Sequence, residues 1–270
     1  MERKELYGLI GLQEEVICRL RAVGDAVDLV QMDPLLESLM DQETMVEAYN
    51  ELKSVLAEDE EQMGMLYCQL ECARRVFDRY QQKGISKAVY ADTMKCFTRF
   101  LEECRKKNGR MFFDRGWWTY RQINMRIFRI GALEYEFGDM EEPGTVAVHI
   151  PSDADLSEAS VDQSLAEARK FFGAFYPDYQ YDKYICDSWL LSPVLRRLLP
   201  EGSRIMAFQD RFRIAEVKED SREYIEWLFQ APLETADEDL PVQTSLQRKA
   251  RELMLAGGNI GSAYGILDVL

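Results

Sequence analysis

The stretch LEYEFGDMEEPGTVAVHI, residues 133–150, decides the fold class of this chain. In its first part apolar and acidic residues alternate strictly, so that one face of an extended segment is apolar and the other carries glutamates. Pro143-Gly144 marks a turn, and a second alternating run follows at residues 145–150 with three branched apolar side chains on one face. This period of two predicts two strands paired as a hairpin.

The hairpin is the first part of a predicted mixed sheet. Strands are predicted at residues 126–137, 145–150, 181–189 and 204–217. Pro151 ends the second strand because proline cannot donate to a ladder. Asp155 and Glu158 have the spacing of a capping box and open a predicted crossover helix, which favours parallel pairing between the strands that it joins.

Before the hairpin the period of the apolar residues is different. From residue 1 to about residue 108 they recur every three or four positions, which is typical of amphipathic helices. Gly84 and the pair Asn108-Gly109 are stop signals. The pattern predicts four or five helices in a domain of residues 1–115, followed by a domain of residues 116–270. The predicted fold class is therefore α+β, or mixed α/β, with an all-helical domain before a mixed sheet and its flanking helices.

Composition and charge exclude several classes of protein. The chain has 270 residues, 47% apolar and 30% charged, with a mean hydropathy of -0.32, as in ordinary folded proteins. Its 33 Lys and Arg against 48 Asp and Glu give a net charge of -15, which repels nucleic acid and anionic lipid surfaces. No apolar run approaches the roughly 20 residues that span a bilayer. We expect a cytoplasmic protein without a nucleic-acid or membrane partner, and the sequence leaves the oligomeric state open.

The six cysteines are too sparse for a disulfide scaffold. Five of them fall in predicted helices, and Cys68 and Cys72 share a helical face at a spacing that would suit two ligands of a metal. No histidine lies near them in the sequence. We therefore expect reduced thiols that pack in a core, and no metal site.

Several short motifs carry a resemblance to a known family. They are HIP at residues 149–151, SL at 164–165, ARKFF at 168–172, CDSWLL at 186–191 and FQDRF at 208–212. Through them the region 117–217 resembles the bacterial acyltransferase domain-containing proteins, which join a helical N-terminal domain to a GNAT-like C-terminal domain. The resemblance implies transfer of an acyl group from acyl-coenzyme A, or a related carrier, to an amine of a small-molecule acceptor. Acyl-coenzyme A would then be a cosubstrate.

The resemblance also implies where the site lies. The backbone of residues 148–150 would meet the acyl carbonyl and the pantetheine arm. The candidate carrier-binding residues are Val148, Ile150, Arg126 and Trp189. His149, the sole histidine, is the candidate catalytic base, because the ordinary pKa of histidine near 6.5 suits proton transfer at neutral pH. Ser188 is a second catalytic candidate that bonds to substrate. A histidine satisfied within the sheet and a serine that only closes a turn are the alternatives.

The chain departs from the usual GNAT pattern at the phosphate loop. Most GNAT enzymes hold the pyrophosphate with backbone amides of a loop of the form Arg/Gln-x-x-Gly-x-Gly/Ala. Residues 151–158 contain neither glycine nor a basic residue and carry three carboxylates. We expect these carboxylates to satisfy the amides of the following helix, so that the phosphates of a carrier are held by side chains or not at all. The glycines of residues 257–265 predict a helix end and a turn.

Three functions stay open at this point. The first is acyl transfer, with His149, Cys186 and Ser188 lining one cavity between the sheet and the N-terminal helices and with Cys186 structural. The second is a non-catalytic ligand-binding or regulatory module that keeps a GNAT-like fold without the phosphate loop. In the third, Cys186 accepts the acyl group as a nucleophile, which requires His149 within hydrogen-bond reach.

Overall fold

The computed structural model describes residues 1–57, 59–138 and 142–269. These residues form two compact units, Met1–Arg129 and Ile130–Leu270. The division lies later in the chain than the predicted boundary between residues 115 and 116. Each unit is described separately below.

The described residues of the first unit form eight helices. These are α1 Arg3–Ile10, α2 Glu14–Ala26, α3 Leu29–Leu39, α4 Met45–Val55, α5 Met63–Lys83, α6 Lys87–Met94, α7 Cys96–Asn108 and α8 Gly116–Ile123. The prediction of four or five helices was wrong, because short polar breaks divide segments that share one apolar period. Asp28 accepts hydrogen bonds from the amides of Val30 and Gln31 to start α3, and Ser86 caps α6. Gly84 ends α5 in the left-handed conformation, as the sequence predicted.

Helix α5 is the centre of the first unit. Its residues from Met63 to Ala73 are all buried, and it packs against α1, α2, α3, α6 and α8. Because α8 packs on α5, the compact unit continues past residue 115. None of the helices in the described ranges is long and apolar enough to cross a membrane.

A six-stranded mixed sheet follows the helices, and the second unit begins at Ile130, the last residue of its first strand. The strands are β1 Ile127–Ile130, β2 Leu133–Phe137, β3 Thr145–His149, β4 Lys183–Ser188, β5 Arg213–Lys218 and β6 Ser262–Asp268, in the spatial order β1-β2-β3-β4-β6-β5. Strands β2 and β3 form the predicted antiparallel hairpin. Helix α9, Glu158–Phe175, crosses from β3 to β4, and these two strands are parallel. Strand β6 pairs antiparallel with both β4 and β5. The predicted mixed α/β fold class is confirmed.

Two strand predictions were wrong in detail. Residues 126–137 form two strands, because Gly131 turns the chain with φ +61° between them. After the short helix α10, Leu195–Leu198, residues 204–217 form helix α11, Arg204–Gln209, and then β5. A short apolar run does not distinguish a helix from a strand, and only the second half of this segment is extended.

The strand β6 was missed altogether. It follows α12, Ser245–Leu255, in a segment whose glycines predicted only a turn. Gly265 lies inside β6, where a Cβ atom would come within 2.7 Å of Cδ1 of Leu191 and 2.9 Å of Cβ of Phe212. This glycine therefore serves close packing between a strand and its neighbours.

Helix α9 covers one face of the sheet. The hydroxyl groups of Tyr135 on β2 and Ser164 on α9 are 2.8 Å apart, and the rings of Phe137 and Phe172 meet edge to face at 5.4 Å. Val146 and Val148 of β3 are buried, and alternation gives them the opposite orientation to Ala147 and His149. The sheet thus has an apolar face under α9 and a second face that carries Glu134, Glu136 and His149.

Candidate active site

The candidate site lies where β3 and β4 stop pairing. Their register consists of Thr145 with Lys183, Val146 with Tyr184, and Ala147 with Ile185. Beyond these pairs β3 continues to His149, whereas β4 continues to Ser188 in a ladder with β6 on its other edge. Over the described residues, the ladder between the two parallel strands therefore ends before the strands do. The backbone of residues 148–150, which the resemblance assigns to the acyl carrier, follows this point.

His149 lies beside a buried carboxylate. Its Nε2 atom is 2.9 Å from Oε2 of Glu136 on β2, and the side chain of Glu136 is only 7% exposed. The hairpin places Glu136 opposite Ala147, so that His149 and Glu136 are diagonal neighbours on one face. When Nε2 donates to the carboxylate, the neutral ring carries its lone pair on Nδ1. The imidazole side chain keeps 26% exposure.

Cys186 and Ser188 lie on the opposite face from His149. Parallel pairing of Ala147 with Ile185 places the alternate residues Cys186 and Ser188 on the face that contains Val148. The expectation that His149, Cys186 and Ser188 line one cavity was wrong, because it did not fix the register between β3 and β4. Cys186 is buried, and burial raises the pKa of its thiol far above the ordinary value.

The two residues at the end of β4 have structural contacts. The Ser188 hydroxyl accepts a hydrogen bond from the amide of Leu190, 3.2 Å away, and starts a 3-10 turn at Trp189–Leu191. Trp189 packs against the apolar cluster that includes Leu195, Tyr224 and Ile225. Its amide donates to Oε1 of Glu223 at 3.1 Å. These contacts fit the turn-closing alternative for Ser188, and the roles in catalysis and carrier binding stay predictions.

The other predicted carrier-binding residues are Val148, Ile150 and Arg126. Val148 is buried under α9, and Ile150 is partly buried just after β3. Arg126 belongs to the first unit, where its amide donates to the carbonyl of Arg121 at 2.9 Å. The backbone of residues 148–150 lies at the end of the β3–β4 ladder, and the assignment of all three residues to carrier binding stays a prediction.

The start of α9 differs from the predicted capping box. Ser157 is the N-cap residue, and Asp155 accepts hydrogen bonds from the Ser157 amide at 3.0 Å and from the hydroxyls of Ser157 and Ser160. These bonds lower the pKa of Asp155. The expectation that a carboxylate satisfies an amide at this helix start is met by Asp155 at the cap residue Ser157. Glu158 is the first helical residue, not the reciprocal member of a capping box.

Two arginines flank this helix start. Arg204 of α11 is 3.0 Å from Oδ1 of Asp155, and its side chain is 71% exposed. Arg211 contacts Asp162 and donates to the carbonyl of Glu158 at 3.3 Å. Sequence reasoning missed both cations because they follow the start of this helix by about fifty residues in the chain. They supply positive charge at the start of α9, where residues 151–158 have no basic side chain.

Cys68 and Cys72 form no metal site in the described part of the chain. No group of three or more His, Cys, Asp or Glu suited to a metal occurs there. Burial raises the pKa of Cys68 to about 12 and that of Cys72 well above the ordinary value. Cys72 donates to the carbonyl of Leu36. Both thiols belong to the helical core.

Comparison with known proteins identifies the class that this fold and site define. Residues 127–267 match the GNAT-like C-terminal domain, and residues 1–125 match the N-acyltransferase N-terminal domain. The chain belongs to this GNAT-like acyltransferase family with a helical N-terminal domain. No curated protein is significantly similar to it.

Several solved acyltransferase structures have the same fold over the full length of both chains. One is in complex with decanoyl-CoA and teicoplanin, with a TM-score of 0.73 and 18% identity. A second is in complex with decanoyl-CoA, with a TM-score of 0.72 and 18% identity. A third is in complex with CoA and 10C-teicoplanin, with a TM-score of 0.72 and 17% identity. At these identities the similarity establishes the fold.

Proposed function

We propose that this chain is an N-acyltransferase that moves an acyl group from acyl-coenzyme A to an amine of a small-molecule acceptor. The observation that carries the proposal is the His149–Glu136 pair at the point where the β3–β4 ladder ends. Family membership supports it, and so do the acyl-CoA complexes of the structures with the same fold.

The chemistry assigns a task to each part of this site. The acceptor nitrogen forms a C–N bond with the thioester carbonyl carbon, the C–S bond breaks, and the departing thiolate takes up a proton. His149 accepts the proton that the nitrogen loses, at Nδ1 when Nε2 faces Glu136. Glu136 fixes the orientation of the ring and places a negative charge beside the imidazolium that forms. Backbone amides at residues 148–150 would polarise the carbonyl, whereas Pro151 has no N–H to donate.

Arg204 and Arg211 are the side chains that we assign to the phosphates of the donor. They lie at the start of α9, and residues 151–158 offer no glycine-rich loop. Each arginine already contacts an aspartate, and Arg204 is mostly exposed. Affinity for the donor should therefore be modest and should fall with added salt. The six free cysteines fit the cytoplasmic location that the sequence predicts.

Turnover of two variants tests the base. We measure thiol release from decanoyl-CoA in the presence of a panel of primary amines. His149→Gln should lower turnover by roughly a hundredfold or more while the fold survives, because a positioned general base contributes about that much. Cys186→Ala is the matched control and should leave turnover nearly intact, since the thiol is buried on the other face. The reverse pattern would show a covalent thioester route, and full activity in both variants would remove His149 from the mechanism.

A non-catalytic ligand-binding or regulatory module is the second candidate function. The observation that favours it is the absence of glycine and basic residues from residues 151–158. Calorimetric titration with acetyl-coenzyme A and with a longer acyl form separates the two candidates. Heat with either donor, together with turnover, supports the enzyme. Absence of heat and turnover with every acyl form would favour the module.

A further inference from the structure

A row of polar side chains crosses the sheet on the face that His149 occupies. Register places Glu134 opposite His149, Asp187 opposite Tyr264, and Tyr264 opposite Glu216. The β3–β4 register ends at Ala147 with Ile185, and alternation along each strand puts His149 and Asp187 on the same face as that pair. Residues directly opposite each other on neighbouring strands share a face. The row therefore joins the His149–Glu136 pair to the carboxylate of Asp187 across the opening between β3 and β4.

The carboxylate of Asp187 is accessible to a ligand. Its side chain is 44% exposed, and its carboxylate forms an ion pair with Nζ of Lys218 on β5. The ammonium group of Lys218 is itself a primary alkylammonium ion. This contact shows that the carboxylate of Asp187 can bind an alkylammonium group. It also means that Lys218 would compete with an external ammonium ion for Asp187.

The surroundings of Asp187 favour a cation. Burial and the charge of Asp187 raise the pKa of Glu223, which holds the amide of Trp189 at the end of β4. On the other side, the hydroxyl of Tyr264 donates to Oε2 of Glu142 at 2.6 Å. A cation bound to Asp187 offsets the repulsion between Asp187 and Glu223, as Lys218 does in the absence of a ligand.

We propose that Asp187 binds the acceptor as a protonated primary amine and positions its nitrogen at His149. A primary amine is predominantly an ammonium ion at neutral pH, so it needs a negative partner before it loses a proton. Asp187 is such a partner on the face of the proposed base. Lys218 is the competitor that the incoming ammonium displaces. The inference rests on the proposed function only for the identity of the ligand as the acceptor.

The sole histidine provides a binding assay that requires no turnover. We titrate the untagged protein at pH 7 with butylammonium chloride and follow the imidazole NMR signals of His149. The wild-type signals should shift and saturate, and 1-butanol, the neutral analogue, should leave them unchanged. Asp187→Asn should weaken binding about fivefold, which is the upper range for an exposed ion pair. Lys218→Met should tighten binding by a similar factor, because the internal competitor is gone.

The opposite signs separate a binding role from a structural one. If the Asp187–Lys218 ion pair only supported the fold, both variants would lose the same contact and shift the affinity in the same direction. Asp237→Asn, which breaks the surface pair between Asp237 and Arg222, is the matched control and should change nothing. Equal binding of butanol, or equal signs for the two variants, would overturn the assignment.

The assay also distinguishes this inference from the proposed function. A saturable shift that depends on Asp187, without turnover on any amine, would reject acyl transfer and keep the ammonium site. Turnover with a KM for the amine that Asp187→Asn does not change would keep acyl transfer and reject the site. Where both hold, Asp187→Asn should raise the KM for the amine more than it lowers kcat.

Discussion

Replacing Glu71 by glutamine should destabilise the helical unit strongly. Glu71 lies in α5 with only 5% of its side chain exposed, and three guanidinium groups surround it. Its carboxylate oxygens are 3.1 Å from Nε of Arg3, 2.7 Å from Nη2 of Arg74 and 3.1 Å from Nε of Arg75. Glutamine has the same shape but no charge, so all three arginines lose a charged acceptor.

The lowered pKa of Glu71 sets the size of the expected loss of stability. Burial acts to raise this pKa, but the hydrogen bonds from Arg74, Arg75 and Arg3 outweigh it and lower the pKa from 4.5 to about 2. A gap of about 2.5 pH units corresponds to about 3 kcal/mol of folding free energy. Because the pKa is lowered on folding, this stability is fully present above pH 4.5 and is lost as the pH falls towards 2. We expect Glu71→Gln to lower the free energy of unfolding by about 2 to 3 kcal/mol at pH 7.

Hydrogen exchange of α5 peptides in increasing urea measures the stability of the helical unit alone. The difference between wild type and Glu71→Gln should fall by roughly half between pH 5 and pH 3. Glu37→Gln is the control, because Glu37 also contacts Arg75, at 3.0 Å, but is 52% exposed. It should lower the stability by less than about 1 kcal/mol. A Glu71→Gln effect below this value at pH 7, or one that does not change with pH, would refute the reasoning.

Three further perturbations concern the second unit. Glu136→Gln keeps the size of the side chain but removes the charge beside His149. The kcat should fall by about tenfold or more, with the KM for the donor unchanged. An unaltered kcat would exclude the role of Glu136 in orienting His149. Gly265→Ala puts a Cβ atom 2.7 Å from Cδ1 of Leu191. It should lower the free energy of unfolding, measured in urea, by about 1 to 3 kcal/mol. Wild-type stability would contradict this prediction, because it would mean that Leu191 and Phe212 move aside at no cost. Arg204→Ala should weaken acyl-CoA binding and flatten its salt dependence in calorimetric titrations at low and high salt; an unchanged slope would contradict a phosphate contact.

The elements that the sequence predicted well are those with a sustained period. The hairpin of residues 133–150 was predicted because strict alternation continues on both sides of a proline-glycine turn. Residues 204–217 and 262–268 were misjudged for the opposite reason, since short apolar runs and strand glycines carry no decisive period. In β6, Gly265 reflects close packing against Leu191, and that contact arises only in the folded protein.

The candidate site was predictable only in part. His149 was identified as the sole histidine near the end of a strand, but its contact with Glu136 depends on the hairpin register. The alternation already placed Glu136 and His149 opposite the apolar side chains of their strands, and combining the two strands would have predicted their shared face. Asp187 was not singled out, because pairing it with the correct face requires the register between β3 and β4.

The position of β6 imposes an order on folding during synthesis. The ribosome makes β5 before β6, yet β5 reaches the rest of the sheet only through β6. Until residues 262–268 have emerged, β4 and β5 both expose unpaired backbone edges, which are prone to association with other chains. The nascent second unit therefore needs β6 to complete its sheet. A ribosome that stalls before β6 would leave an aggregation-prone intermediate.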